Sequence, residues 1–332
     1  MSKKNSSGIS SVPTFWFVGG LVVVSVVLLL VLDNYWITVI SLAMALGLFA
    51  FGVDVLQWAG LSSLGHAAWY GLAAYGTAIL TVKLGWNPWL AMMAGIAMSM
   101  AVAAAFAPFA VRMKGTSFLV ITLAFGQVIW GLAIKLEKVT GGSDGIPGVP
   151  RPGSIGPINF GDPKVMFALM VVVIVIVVTL VMRLLNGPLG AQLRAIRQSE
   201  LRVKSLGYNV PLLKFSAFVL SAFIVGVAGS LAATLDQFVG VNYVVWTMSA
   251  EMLLATMVGG VGTLWGPFAA GFAIAFIRVL ATDLTKRWMM ILGLMYIFAV
   301  LLIPDGIASL FKRRRRTEVD ETSHEPIEEV NP

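Results

Sequence analysis

The chain has 332 residues, of which 58% are hydrophobic and only 12% charged, with a formal net charge of +7. A soluble domain carries about 25% charged residues, so this composition excludes an ordinary water-soluble globule and points to an integral membrane protein. The basic surplus lies between and beside apolar runs, where it reports orientation in a membrane and not nucleic-acid binding. With no cysteine in the chain, disulfides and thiolate metal sites are excluded as well.

In chain order, residues 1–14, with Lys3 and Lys4, read as a cytoplasmic N-terminal segment ahead of a transmembrane domain at 15–304. The run FWFVGGLVVVSVVLLLVL at 15–32 reaches the roughly 18–20 residues that an α-helix needs to cross an apolar core about 30 Å thick. It is followed by DNYW where a signal peptide would have small residues at a cleavage site, so a retained first helix is expected. Further spans are expected at 35–53, 61–82, 88–111, 116–135, 164–182, 212–234, 248–262, 264–282 and 287–303. That makes about ten, or eight to ten where short re-entrant segments imitate spans. A β-barrel would show short alternating strands, whereas these runs are apolar on every face. The expected fold class is therefore an all-α polytopic membrane protein.

The segment GLSSLGHAAWYGLAAYG at 60–76 places four glycines, two serines and a histidine inside a spanning pattern. Irregular backbone at bilayer depth survives only where protein or a water-filled path covers it, which makes Ser62, Ser63 and His66 candidates for a translocation path. A lone histidine equally satisfies a backbone carbonyl, and with Asp54 as its nearest acid in sequence it makes no metal site. Laid over residues 261–280 at an offset of 200, this segment matches Leu64 with Leu264, Gly71 with Gly271 and Ala73 with Ala273. Both stretches are broken by glycine, as in helices that pack closely or stop part way.

Gln127 in TLAFGQ and the acids Asp54, Asp236 and Glu251 fall in or near spans. A charge at a lipid-facing helix centre costs about 2.5–3.5 kcal/mol, so these acids must face protein or water. Glu251 either bonds a neighbouring helix or lines the path; Gln127 poses the same choice. Trp86, Trp89 and Trp288 sit at span ends as headgroup anchors. The outer loop 136–163 is dense in turn formers, TGGSDGIPGVPRPGSIGPINFGDP, and either connects passively or offers a docking surface through Gly141, Gly142, Asp144 and Gly145.

The inner loop 183–211 holds RAIRQSELRVKSLGYNV. Over 190–206 its residues favour one short helix with Leu193, Ile196, Val203 and Leu206 near one face and Glu200 four residues before Lys204, which suits a surface ion pair. Glycine and proline then stop it before the next span. Such a helix either rests on anionic lipid or is gripped by a soluble partner. Beyond the last span, KRRRR and an acidic, polar stretch form a tail at 305–332 that is expected to be disordered. Most of the 23 basic residues then lie on one side, which places both termini in the cytoplasm.

Together GLSSLGHAAWYGLAAY, TLAFGQ, TGGSDGI, AIRQSELRVKSLGYNV, VGGVGTLWGPFAAG and ILGLMYIFAVLLIPDGIASLF resemble the permease subunits of branched-chain amino acid ABC importers over about three quarters of the chain. The resemblance implies a bacterial inner-membrane subunit paired with a second, usually non-identical permease. Two cytoplasmic ATPases using ATP-Mg would energise it, and a periplasmic binding protein would deliver the solute. It also implies that the inner loop is a coupling helix, with Arg194, Ile196, Arg197, Glu200, Lys204 and Gly207 contacting an ATPase. No GxxxxGK[ST] phosphate loop occurs, so the chain is expected neither to bind ATP nor to be an enzyme. Two features depart from the family pattern: Gln127 stands where the family often has an acid, and Trp69 and Tyr70 where it commonly has phenylalanines. The wider family also moves urea, short amides and aromatic acids. The rival readings are an ion-coupled secondary transporter and an intramembrane enzyme, for which no persuasive nucleophile or metal motif is present.

Overall fold

In a computed structural model of the chain, residues 14–154, 159–284, 290, 293 and 294 are described. The expected last span at 287–303, Trp288, the tail 305–332 and the first 13 residues lie outside them. The helices are α1 (Thr14–Val31), α2 (Asn34–Gln57), α3 (His66–Ala78, continued by a π turn at Ile79–Lys83), α4 (Pro88–Ala110) and α5 (Thr116–Lys135). They continue with α6 (Glu137–Thr140), α7 (Pro163–Asn186), α8 (Pro188–Gln198), α9 (Glu200–Ser205), α10 (Val210–Asp236), α11 (Trp246–Gly259) and α12 (Trp265–Leu284). Two-residue strands, β1 (Ile146–Pro147) and β2 (Phe238–Val239), pair antiparallel with Ile146 opposite Val239.

Among the described residues six helices are long and apolar enough to cross a membrane: α2, α4, α5, α7, α10 and α12. The positions expected for three other spans hold shorter elements, namely α1, α3 with its π turn, and α11. The span expected at 61–82 becomes helical only at His66, because 60–65 is an irregular segment. Several helices begin with the same local chemistry. Asn87, Asp162 and Asn209 each accept a hydrogen bond from an amide in the first turn of α4, α7 and α10, and a proline follows each within two residues. This is the arrangement that satisfies orphan N–H groups and presets the first helical φ.

Helix α2 is the axis of the bundle, buried almost throughout from Ile37 to Gln57, and packs against α7, α10, α11 and α12. Helix α3 is clasped by α4 and α10 at glycines. A Cβ on Gly229 would lie 2.1 Å from the Tyr70 carbonyl oxygen, and one on Gly95 would lie 2.5 Å from that of Ala73. Such contacts let helices approach backbone to backbone, where dispersion and polar bonds replace the hydrophobic effect. Ser99 Oγ donates to the Trp69 carbonyl at 2.9 Å, and Thr77 Oγ1 to Ser230 Oγ at 3.0 Å. Because successive spans alternate in direction, α8, α9 and the turns α2–α3, α4–α5 and α11–α12 share one side of the bundle. The β1–β2 ribbon and the segments 136–154, 159–162 and 237–245 share the other.

Candidate coupling and translocation sites

Where one helix was expected over 190–206, two are found. Ser199 is extended (φ −162°, ψ 101°); it ends α8, and its Oγ accepts from the Arg202 amide at 3.3 Å to start α9. Leu193, Ile196 and Val203 are buried as expected, but Leu206 follows the end of α9 and is 69% exposed. It joins Leu201 and Tyr208 in an apolar exposed patch, with Arg202 and Lys204 exposed beside it. Gly207 (φ +84°) turns the chain toward α10. The expected Glu200–Lys204 pair gives way to longer-range partners. Glu200 lies 3.0 Å from Lys214 Nζ and 3.6 Å from Lys114 Nζ, which ties α9 to α10 and to the α4–α5 turn. Burial opposes ionisation of Glu200, but the hydrogen bond and charge of Lys214, then the charge of Lys114, outweigh it and hold the carboxyl below its ordinary range.

The opposite face of α8 meets two turns of the bundle. The Arg194 guanidinium stands 4.9 Å over the Trp58 ring, a cation–π contact. The Arg197 Cα would lie 3.4 Å from a Cβ on Gly60, and its Nη1 3.1 Å from one on Gly262. Between these turns sits Asp54, fully buried near the end of α2. Its Oδ1 accepts from the Gly262 amide at 2.7 Å and its Oδ2 from the Leu264 amide at 3.0 Å. Gln57 Nε2 adds a bond to Thr256 Oγ1 of α11 at 2.9 Å. The sequence showed Asp54 only as an acid near a span; a buried acid opposite a second glycine-rich turn is the signal that could have found this role.

At the break before α3, the backbone freed from helix is satisfied by hydroxyls. The Leu64 amide donates to Thr122 Oγ1 at 3.3 Å, Gly65 to Ser63 Oγ at 3.1 Å, and Ala67 to Ser249 Oγ at 2.7 Å. The last bond joins the first turns of α3 and α11, so two interrupted helices start side by side within the bundle. His66 Nε2 is 2.8 Å from Ser221 Oγ, which donates its own hydrogen to the Gly52 carbonyl at 2.6 Å. His66 must therefore carry its proton on Nε2. Ser221 is eleven residues into α10, about 16 Å at 1.5 Å per residue, so the break reaches well inside the membrane. Ser63 and His66 are buried within the subunit, while Ser62 and Gln127 are partly exposed. Gly126 of α5 packs against Leu64 and Gly65 at the break, and Gln127 follows it on α5.

Glu251 pairs with Arg278 of α12 at 3.0 Å, an interhelical partner that sequence reasoning missed because Arg278 lies inside an apolar run. Asp236 accepts from the Tyr243 hydroxyl. On the ribbon side, Gly141, Gly142 and Gly145 all take positive φ. A Cβ on Gly145 would meet the Val239 carbonyl at 2.5 Å, while Asp144 is exposed beside them. The amides of Gly148 and Val149 both donate to the Gln237 carbonyl.

A many-spanned helical bundle with interrupted helices at its centre and a charged helix pair bolted to the turns on one side defines a membrane transport subunit. The family described as branched-chain amino acid transport system / permease component matches residues 35–301, and the chain belongs to it. It is 29% identical over 300 residues, 83% of this chain and 69% of the relative, to the high-affinity branched-chain amino acid transport system permease protein LivM of Escherichia coli. To LivM of Salmonella typhimurium it is 28% identical over 299 residues, with the same shares covered. No solved structure matches the chain.

Proposed function

We propose that this chain is one membrane-spanning permease of an ABC importer for branched-chain amino acids or a related small amide or carboxylate. The observation that carries the reading is the two-faced α8–α9 unit. Leu193, Ile196 and Val203 anchor it to the bundle, while Leu201, Leu206 and Tyr208 remain exposed among basic residues on the other face. An apolar patch with a cationic rim suits docking into a groove of a soluble ATPase. In this reading α8 and α9, with Arg194, Ile196, Arg197, Glu200, Lys204 and Gly207, form the coupling loop, Ile196 seating it on the bundle, and lie on the cytoplasmic side with both termini, in a bacterial inner membrane. Two ATPase subunits bind ATP-Mg. A second, homologous permease completes the path, to which Ser62, Ser63, His66, Gln127 and Glu251 contribute, and lipid surrounds the pair. The opposite loop, with Gly141, Gly142, Asp144 and Gly145, receives a periplasmic binding protein.

The test is affinity purification of the chain from its native membrane in mild detergent, with and without Leu201→Asp and Leu206→Asp. Recovery of ATPase subunits and a second permease with the unaltered chain, and loss of the ATPases with the double variant, is expected. A chain that purifies by itself and transports solute in proteoliposomes without ATP refutes the reading.

A further inference from the structure

The α11–α12 turn is held in a conformation that needs outside support. Gly260 (φ +101°), Gly262 (φ +87°) and Leu264 (φ +64°) all take positive φ within five residues. Leucine is a poor occupant of the left-handed region, and such strain persists only where the surroundings over-determine it. What holds this turn is Asp54, whose two carboxylate oxygens take the amides of Gly262 and Leu264, 208 and 210 residues away in sequence. The turn is also tightly packed. Gly259 and Gly266 pack so closely that a Cβ on the first would lie 2.4 Å from the backbone of the second, so the end of α11 and the start of α12 meet backbone to backbone.

Arg197 stands at the same place from the other side. Its guanidinium fills the space next to Gly262, whose amide Asp54 accepts, and its backbone abuts Gly60. Asp54 is fully buried and Arg197 is exposed, so the two meet at the boundary between the bundle and solvent. A shift of α8 by even a few ångströms therefore changes two things at once: the steric stop against both turns and the packing beside the Gly262 amide that Asp54 holds.

We propose that Asp54 is the positioning residue that carries a displacement of α8 into the start of α12. This rests on the reading that α8 and α9 dock on an ATPase. With Arg197 in place, Asp54 holds the Gly260–Leu264 turn in its left-handed form. When α8 withdraws, that hold weakens, the strain at Leu264 is released, and α12 re-aims with Arg278 and its partner Glu251. Arg194 on Trp58 keeps the α2–α3 turn in register with the same motion.

The experiment is to purify the importer with its ATPases, reconstitute it with binding protein, and measure ATP hydrolysed per solute imported for the unaltered chain and for Asp54→Asn. Asparagine keeps the shape but replaces one acceptor with a donor, so it cannot take both amides. The expected result is an assembled complex with normal ATPase content in which ATP spent per solute rises about tenfold. Hydrogen exchange at the Gly262 and Leu264 amides should also speed up and cease to respond to nucleotide. An unchanged ratio in Asp54→Asn overturns the proposal. So does failure of that variant to assemble, since Asp54 would then be a folding residue. If the unaltered chain recovers no ATPase, it is the importer reading that fails, before Asp54 is tested.

Discussion

The two sides of the bundle are held together by different chemistry. On the α8 side, side chains tie elements far apart in sequence: Asp54 to Gly262 and Leu264, Arg194 to Trp58, Glu200 to Lys214 and Lys114. On the ribbon side the backbone does most of the work, through β1–β2 pairing, two amides on the Gln237 carbonyl, and turn glycines that admit no Cβ. Side-chain ties can break and re-form as a helix shifts, whereas paired backbone fixes a shape. One side is therefore suited to transmitting movement and the other to presenting a constant surface. That is the asymmetry expected where an ATPase pushes on one face and a binding protein lands on the other.

The sharpest way to break this contrast is Arg197→Glu, which replaces the cation next to Gly262 with an anion. Solute uptake in proteoliposomes should fall about thirtyfold, within the range of ordinary coupling free energies, while circular dichroism of the purified chain stays unchanged. Normal uptake would mean that the charged side transmits nothing through this contact. Glu251→Gln probes the interior between the two sides. It leaves Arg278 without its ionised partner at a site where the pair is only 16% and 29% exposed, and should destabilise the subunit by about 2 kcal/mol, seen as a lower Tm in detergent. Glu251→Gln with Arg278→Met should recover part of that loss; if the double variant is worse than the single one, the pair is not the cause. On the ribbon side, Gly145→Ala should cost about 1–3 kcal/mol for an alanine held at positive φ with extended ψ and push the chain off the Val239 carbonyl, 2.5 Å from the new Cβ. Binding-protein affinity should drop while ATPase association is kept, and a variant that loses both would erase the division between the two sides.

Much of the architecture was legible in the sequence because the bilayer imposes a simple rule: a span must be long and apolar. Helices α4, α5, α7 and α10 start or end within a few residues of where hydropathy places them. Less legible was whatever depends on partners distant in sequence. The i to i+4 spacing suggested Lys204 for Glu200, yet the fold brings Lys214 and Lys114 to it. Ser199 was one polar residue among several in a helical pattern, and only its extended backbone reveals it as the cap that divides α8 from α9. Arg278 was hidden by its apolar neighbours. The interruption at 60–65 was visible from its glycines, but the hydroxyls that satisfy it, Thr122 and Ser249, belong to helices that no local pattern connects to it.

The smallest expected effect concerns the tether between α9 and α10, which should respond to acid. Glu200 is held below its ordinary range, chiefly against its own burial, by the hydrogen bond and charge of Lys214 and then by Lys114. A free glutamate titrates near 4.3. A depressed folded value means that the stabilisation is fully present above that pH and is lost as pH falls through the lower folded value. With Glu200 about a third exposed, the tether is worth under about 1 kcal/mol, too little to unfold anything but enough to loosen α9. The chain has no cysteine, so a spin label on Ser205→Cys reports on α9 at a unique position. Its mobility should stay constant from pH 7 to 5 and rise only below the ordinary glutamate range. Lys214→Met should raise it already at pH 7, because the buried lysine that holds Glu200 is gone. A transition between pH 6 and 7, or a label indifferent to both acid and Lys214→Met, would show that α9 is held by packing of Val203 and not by charge, and would weaken the contrast between the two sides at its outermost contact.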